Sequence, residues 1–436
     1  MVDGLRARTA TLMLTRFCLY GFLKNQRYFE PYFMLAILSL GADYFHIGLL
    51  LACQSLTLNV LEVPSGILAD RWGRRRCMVA SFSAYVASFA TFALAANLWW
   101  LFPAAVLYGI GDSFRTGTHK AMIFEWLRLN GMEDQRTQVY GLTRSWSKYG
   151  SAVSAFISAI LVSLSGSYQL VFWWACIPYL ANIVNVLTYP KVLDRHNALE
   201  ANISTPMSNE LSTPWWRELA GSLQRMWQNK KLRRLVVESM TWEGLFSAIK
   251  DYIQPAIVLA FVLWFVPNST SDAIVNSHQD LRIVWAIATV YTILSLLSGL
   301  SSRTAHRLVR RIGNEERTAT WLWTGYVIVL AGLGGCDLGS FYLGVVLAFV
   351  LLNMLQNIWR PILVARIDSL CDAQWGATVL SIESQSHRLL TLILAPAIGA
   401  AIDWSYEPNH IGTLWPMAAI GIVCSLPPLI LRYLRK

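Results

Sequence analysis

LEVPSGILADRWGRRR, residues 61–76, runs from an apolar stretch into four arginines. Gly66, late in the apolar part, is expected to let a neighbouring helix approach closely. Asp70 places an anion at the edge, where it can face a helix N-terminus or an arginine. Gly73 supports a tight turn. Arg74–Arg76 hold the stretch at a charged surface. The flanking runs, 45–69 and 76–96, are each long enough to cross a bilayer, which takes about 20 mainly apolar residues. The stretch therefore reads as a short basic loop between two membrane spans.

The rest of the chain agrees. It has 436 residues, 55% hydrophobic and only 14% charged, with mean hydropathy +0.42. Soluble domains carry about 25% charged residues, so this much apolar surface has no place in a water-soluble core. The N-terminus MVDGLRARTA is short and basic, and the apolar run after it is long enough to span, so no signal peptide is read. Twelve helical spans are expected: 14–40, 45–69, 76–96, 98–122, 138–164, 169–189, 235–264, 282–302, 318–335, 338–362, 377–402 and 411–433. Strands of a barrel would be shorter and alternate in polarity. The net charge of +10 raises a nucleic-acid partner. The basic residues instead cluster in short loops between spans, as orientation in a bilayer requires. The seven cysteines are mostly isolated and show no CxxC or Cys/His spacing, so neither a metal nor a disulfide framework is implied.

Charge sets the orientation. One side carries Arg6 and Arg8; Arg71 and Arg74–Arg76; Arg225 and Lys230–Arg234; Arg303, Arg307, Arg310 and Arg311; and Arg432, Arg435 and Lys436. The other carries Asp43, Asp272, Asp280, Asp337, Asp403 and Glu407, with Arg282 as the basic exception. Both termini are expected in the cytoplasm. Trp99, Trp100, Trp264, Trp404 and Trp415 fall where interfacial anchors belong. The polar stretch 191–234 reads as a cytoplasmic linker between an N-terminal six-span half, 1–190, and a C-terminal half, 235–436. The segment around Trp215–Trp227 is either a surface helix or flexible linker. Asn268-Ser-Thr is an outward-facing glycosylation sequon, meaningful only in a eukaryotic host.

The halves repeat each other. Tyr28-Phe29-Glu30-Pro31 in span one matches Tyr252-Ile253-Gln254-Pro255 in span seven, with Lys24 and Arg27, or Lys250 and Asp251, upstream. SGILADRWGRR (65–75) after span two has a looser relative, SGLSSRTAHRLVRRIG (298–313), after span eight. Parallel six-plus-six repeats suit a transporter with a midplane site.

Residues 65–75 resemble the signature of the major facilitator superfamily, G-x-L-A-D-R-x-G-R-R, at Gly66, Leu68, Ala69, Asp70, Arg71, Gly73, Arg74 and Arg75. With the spans and linker, the resemblance covers essentially the whole chain. It implies two pseudo-symmetric six-helix bundles, with spans one, four, seven and ten around a cavity. It also implies a conformational latch: Asp70 engages the second half and stabilises the outward-open state, with Arg71 and Arg74 as partners. Drug/proton antiporters of the family carry a Gly-Pro-rich motif in span five. Here that span reads KYGSAVSAFISAIL, while the Gly/Ala-rich LAPAIGAAID lies at 394–403 in span eleven. Their span-four arginine motif is not clearly present, although Arg115 is nearby.

Helical phase, at about 100° per residue, groups the intramembrane polar residues into stripes. Span one places Lys24, Arg27 and Glu30 at i, i+3 steps, beside Tyr28. Span four aligns Asp112, Arg115 and His119, with Asp112–Arg115 either a local pair or part of the lining. Span five aligns Arg144, Ser147, Lys148 and Ser151, and span seven Glu243, Ser247, Lys250 and Gln254, beside Asp251 and Tyr252. Span ten aligns Asn353, Gln356, Asn357 and Arg360. In span eleven Glu383 and His387 are i, i+4, with Arg388 turned away. Lys120 and Glu125 read as interfacial and outside the lining. Each isolated midplane charge costs about 2.5–3.5 kcal/mol, so these residues are expected to face a wet cavity or pair.

Among the stripes, Lys24, Arg27, Arg115, Arg144, Lys148, Lys250, Arg360 and Arg388 outnumber Glu30, Asp112, Glu243, Asp251 and Glu383. Arg and Lys clamps suit carboxylates and phosphates. The expected function is secondary active transport of a small organic anion or zwitterion by alternating access. Protons drive it, because no GxxxxGK[ST] loop exists; Glu30 is the first candidate proton site and Glu243 or Glu383 the second. Amphipathic drug efflux is the alternative within the class, and a non-transporting receptor the alternative outside it. The chain lacks a nucleophile–base or metal set for an enzyme. No cofactor is expected, and a functional monomer in the plasma or inner membrane is.

Overall fold

The computed structural model describes residues 2–193, 227–265, 280–370, 376–405 and 414–433. No strand occurs among them. In chain order come α1 (Val2–Lys24), a 3-10 turn (Glu30–Tyr32), α2 (Phe33–Leu38), α3 (Tyr44–Trp72), α4 (Arg74–Leu94) and α5 (Leu101–Arg115). Next are α6 (Thr118–Leu129), α7 (Arg136–Ser165), α8 (Val171–Leu187), α9 (Lys230–Ile249), a 3-10 turn (Lys250–Tyr252) and α10 (Ile253–Phe265). The chain continues with α11 (Leu281–Ile312), α12 (Glu315–Leu338), α13 (Tyr342–Asp368), α14 (Gly376–Trp404) and α15 (Trp415–Tyr433). The bulk of the linker (194–226), the sequon at Asn268, Asp272, Glu407, Arg435, Lys436 and the side chain of Asp70 lie outside the described residues, as do the side chains of Arg6, Arg8 and Trp264.

Seven of the described helices are long and apolar enough to cross a membrane. Val171–Leu187 and Trp415–Ile430 are shorter apolar helices. The outward surface is apolar: Leu94, Leu164, Ile328, Ile393 and Val423 are exposed. Such a surface belongs in lipid, where helices satisfy their own backbone groups. The chain is an integral multi-pass membrane protein.

The chain forms two compact units. Unit 1 is Met1–Gly41, Leu56–Ala201 and Asn276–Leu296; unit 2 is Ala42–Ser55, Asn202–Val275 and Leu297–Lys436. The borders cut through two long helices, α3 and α11. Within unit 2, the first turn of α3 is held by Asp403, whose carboxylate accepts the N–H of Phe45 at 2.7 Å and of Tyr44 at 3.2 Å. A side chain at Gly48 or Gly399 would overlap the facing backbone at Ala395 or Tyr44, so α3 and α14 meet backbone to backbone. Within unit 1, the Tyr32 hydroxyl donates to the carbonyl of Val284 at 2.8 Å.

The first and seventh expected spans are broken at corresponding places. α1 ends at Lys24, and helix resumes only at the 3-10 turn. Pro31 has no N–H, and its ring would clash with the Arg27 carbonyl in a continuous helix. The i, i+3 face expected for Lys24, Arg27 and Glu30 therefore does not exist: the three lie on different local structures. The same interruption at Lys250 ends the span-seven stripe after Glu243 and Ser247. Both breaks fall at the two repeated sequences, so the repeat is visible in the backbone.

The basic loops repeat too. Gly73, between α3 and α4, has φ 99°, and Gly313, between α11 and α12, has φ 100°. L side chains rarely adopt that region, which is why each helix pair turns on glycine. Gly66 differs from expectation: among the described residues nothing lies within 4 Å of where its side chain would be, so it packs against no helix. Arg71 is exposed. Arg75 donates to the Tyr189 carbonyl at 3.2 Å, tying the loop to the residues after α8.

Candidate functional site

Unit 1 contains a cavity of about 450 Å3. Five cations line it: Lys24 from α1, Arg115 from α5, Lys120 from α6, and Arg144 and Lys148 from α7. None of the described lining residues is a carboxylate. Ser147 and Ser151 complete the α7 face, and Phe17, Tyr20 and Tyr140 supply aromatic wall. The span-five stripe is therefore a lining stripe. Lys120, expected at the interface, belongs to the cavity, with its ammonium 5.5 Å from the Phe124 ring centre and 5.4 Å from that of Tyr140. Glu125 is buried and paired with Arg128 at 2.7 Å.

Span four divides at Gly117, whose φ of 81° separates α5 from α6. The division splits the roles of the stripe. Asp112 and Arg115 form the local pair at 2.6 Å, and Tyr85 bonds both, donating to Asp112 and accepting from Arg115 Nε at 2.9 Å. His119 stacks on Tyr20 at 3.4 Å between ring centres and meets the Tyr189 hydroxyl at 3.2 Å. It is a packed, hydrogen-bonded residue at the cavity edge. The Lys24 carbonyl accepts from Tyr179 at 2.9 Å, which fixes the end of α1. Arg27 lies against Tyr179 and Tyr108 rather than among the lining residues. Tyr28 and Glu30 are half-buried and also off the lining; Glu30 acts electrostatically on Lys148.

Unit 2 carries a second polar cluster of a different kind. Arg360 of α13 grips Glu383 of α14 with both terminal nitrogens, at 2.7 and 3.1 Å. Ser239 donates to the same carboxylate, and His387 Nδ1 lies 3.6 Å from it. Glu243 of α9 is 3.5 Å from Arg360 and accepts from Gln356 Nε2 at 2.6 Å. Trp242 Nε1 donates to Gln356 Oε1 at 2.7 Å, which fixes the direction of that amide. The span-ten stripe thus splits, since Asn353 and Asn357 bond Ser298 of α11 instead. Lys250 and Asp251 sit 3.8 Å apart at the break. Tyr252 is buried and stacks on Tyr44 at 5.6 Å, and Gln254 is fully buried. Arg388 donates to Ser384 at 2.6 Å.

A third cluster went unread in the sequence. Glu238, buried in α9, meets Arg234 at 2.8 Å, Arg366 at 3.2 Å and Arg432. Glu316 meets Arg366 at 2.6 Å and Arg432 at 3.3 Å. Arg366 and Arg432 are buried; Arg432 was expected among the basic residues that set the orientation. The available signal was Glu315-Glu316, an acidic pair just after the basic run Arg303–Arg311.

The comparisons with known proteins agree with this architecture. Residues 12–396 match the Major Facilitator Superfamily model, so the chain belongs to that family of membrane transporters. A variant of the nucleoside transporter NupG shares 13% identity at TM-score 0.72, covering 97% of this chain and 99% of that one. A D-xylose-proton symporter shares 14% at TM-score 0.68, covering 95% and 96%. At these identities the likeness is one of fold. A probable vesicular acetylcholine transporter-B of Danio rerio is 27% identical over 177 residues, 41% of this chain and 35% of that protein. Multidrug resistance protein MdtH of Cronobacter sakazakii is 27% identical over 124 residues, 28% of this chain and 30% of that protein. The chain thus matches about a third of the length of these curated relatives.

Proposed function

We propose that this protein is a proton-coupled secondary active transporter of a small organic anion or zwitterion, working by alternating access. The observation that carries this reading is the unit 1 cavity, with five cations and no carboxylate on its described lining. Arg115 is paired with Asp112 at 2.6 Å, and the other like charges gathered around the space repel. An anion relieves the repulsion and gains charged hydrogen bonds worth about 1.5–3 kcal/mol each. A zwitterion would place its cationic group against the aromatic wall. The proton-coupled name of one fold relative favours protons as the driving ion.

In this reading the chain crosses the membrane twelve times, in halves 1–190 and 235–436 joined by 191–234. Both termini are cytoplasmic, and the monomer suffices. Asp70 serves as the latch, with Arg71 and Arg74. Proteoliposome uptake tests the proposal, using labelled small carboxylates and phosphate monoesters with and without a proton gradient. The expected result is saturable, gradient-stimulated uptake of at least one. No flux for any of them sinks the reading, and binding without flux would point to a receptor. Amphipathic drug efflux is the second reading, favoured by the aromatic wall and by the MdtH-like segment.

A further inference from the structure

The unit 1 cavity fixes more about its ligand than the sign of its charge. Its five lining cations come from four helices. Two described carboxylates act on them from off the lining: Asp112 pairs with Arg115 at 2.6 Å, and Glu30 acts on Lys148. Counting both in full still leaves the described lining three positive charges in excess. The lining serines and threonines supply a ligand with no protons. Thr116 donates to the Asp112 carbonyl at 2.8 Å, Thr143 to that of Tyr140 at 2.9 Å, Ser147 to that of Thr143 at 3.1 Å and Ser151 to that of Ser147 at 3.3 Å. Of the lining residues from Thr143 to Ser151, only Arg144 and Lys148 present side-chain protons to the space. The cations also lie at two depths. A side chain at Gly21 would overlap Ser147, and one at Gly150 would overlap Phe22, so α1 and α7 pack closely and run in the same direction. Lys24 follows Gly21 by three residues and Lys148 follows Ser147 by one, so they leave their helices within about one turn of the same depth. Arg144 lies one turn earlier on α7, about 6 Å away along the axis.

We propose that the cavity selects small organic anions with two negative groups about one helical turn apart, as in a short dicarboxylate, over monoanions and zwitterions. This rests on the transport function proposed above. A monoanion leaves two of the three excess charges uncompensated at membrane depth, where an uncompensated charge is costly. A zwitterion brings no net charge and sets its own cation among five others. A dianion reaches both depths: Lys24 and Lys148 take one group, and Arg144 takes the other, with the guanidinium geometry that suits a carboxylate. Arg144 is therefore the residue that separates a dianion from a monoanion.

Calorimetry on the full-length protein in lipid nanodiscs tests this, at one pH and one ionic strength, with butyrate, succinate, β-alanine and methyl phosphate as probes. The expected result is succinate binding at least about tenfold more tightly than butyrate or β-alanine. Arg144→Gln should weaken succinate more than butyrate and so shrink that advantage. Should the variant fail to fold, the wild-type comparison decides alone. Butyrate or β-alanine binding as tightly as succinate overturns the proposal and leaves the transport function standing. Methyl phosphate is a compact dianion, and its binding as tightly as succinate overturns the two-group spacing. A succinate advantage unchanged in Arg144→Gln removes Arg144 from the role. Absence of succinate binding overturns the proposal too, and proteoliposome uptake then decides whether the transport function falls with it.

Discussion

The cavity of unit 1 and the ion clusters of unit 2 use the same residue types to opposite ends. In unit 1, Arg144 and Lys148 are exposed to a cavity whose described lining holds no acid. In unit 2, Arg360, Arg366 and Arg432 are each held by carboxylates. On the proposed reading, basic side chains that line a space serve binding, whereas those closed into ion pairs serve architecture. The difference predicts which substitutions cost stability and which cost affinity.

The largest effect should come from Glu238→Gln, which removes the buried anion shared by Arg366 and Arg432 and leaves them only the exposed Glu316. Removing one partner of a buried pair costs about 3–5 kcal/mol. Thermal unfolding in detergent should show a strongly lowered midpoint or no folded protein. Next, Arg144→Ala with Lys148→Ala should leave that midpoint nearly unchanged. Binding of small carboxylates, followed by calorimetry, should weaken at least about tenfold, as expected when charged hydrogen bonds of 1.5–3 kcal/mol are lost. Equal stability losses in the two experiments would erase the distinction between the regions.

Gly73→Ala and Gly313→Ala sharpen it within the fold. Each forces a side chain into a region that costs about 1–3 kcal/mol, so both should lower the unfolding midpoint by similar amounts. A loss at one position only would break the repeat. The smallest effect on stability belongs to Asp70→Asn. It should slow uptake while leaving expression and binding intact; wild-type rates would remove the latch.

The sequence made the all-helical membrane class, the glycine turn of the basic loop and the α7 stripe legible, because apolar length and helical phase are local properties. Arg144, Ser147, Lys148 and Ser151 share one uninterrupted helix, so phase arithmetic placed them together. It failed for Lys24, Arg27 and Glu30, because Pro31 breaks the helix that the arithmetic assumes. It divided Gln356–Arg360 from Asn353–Asn357 only once their partners on other helices were visible. Glu238, Glu316, Arg366 and Arg432 were unreadable for the same reason: their pairing joins four helices far apart in sequence, and each alone resembles an ordinary boundary charge. Gly399 and Asp403 were likewise assigned to a kinked, Gly/Ala-rich span end, and their contact with the start of α3 depends on tertiary packing.

The central claim is that the unit 1 cavity recognises negative charge. Its most direct test is calorimetric binding of a set of small carboxylates against their uncharged amides, on wild type and on the Arg144→Ala, Lys148→Ala double variant. The account predicts that wild type binds at least one carboxylate and not its amide, and that the double variant loses this discrimination. Equal binding of acid and amide, or discrimination unchanged in the variant, would contradict it.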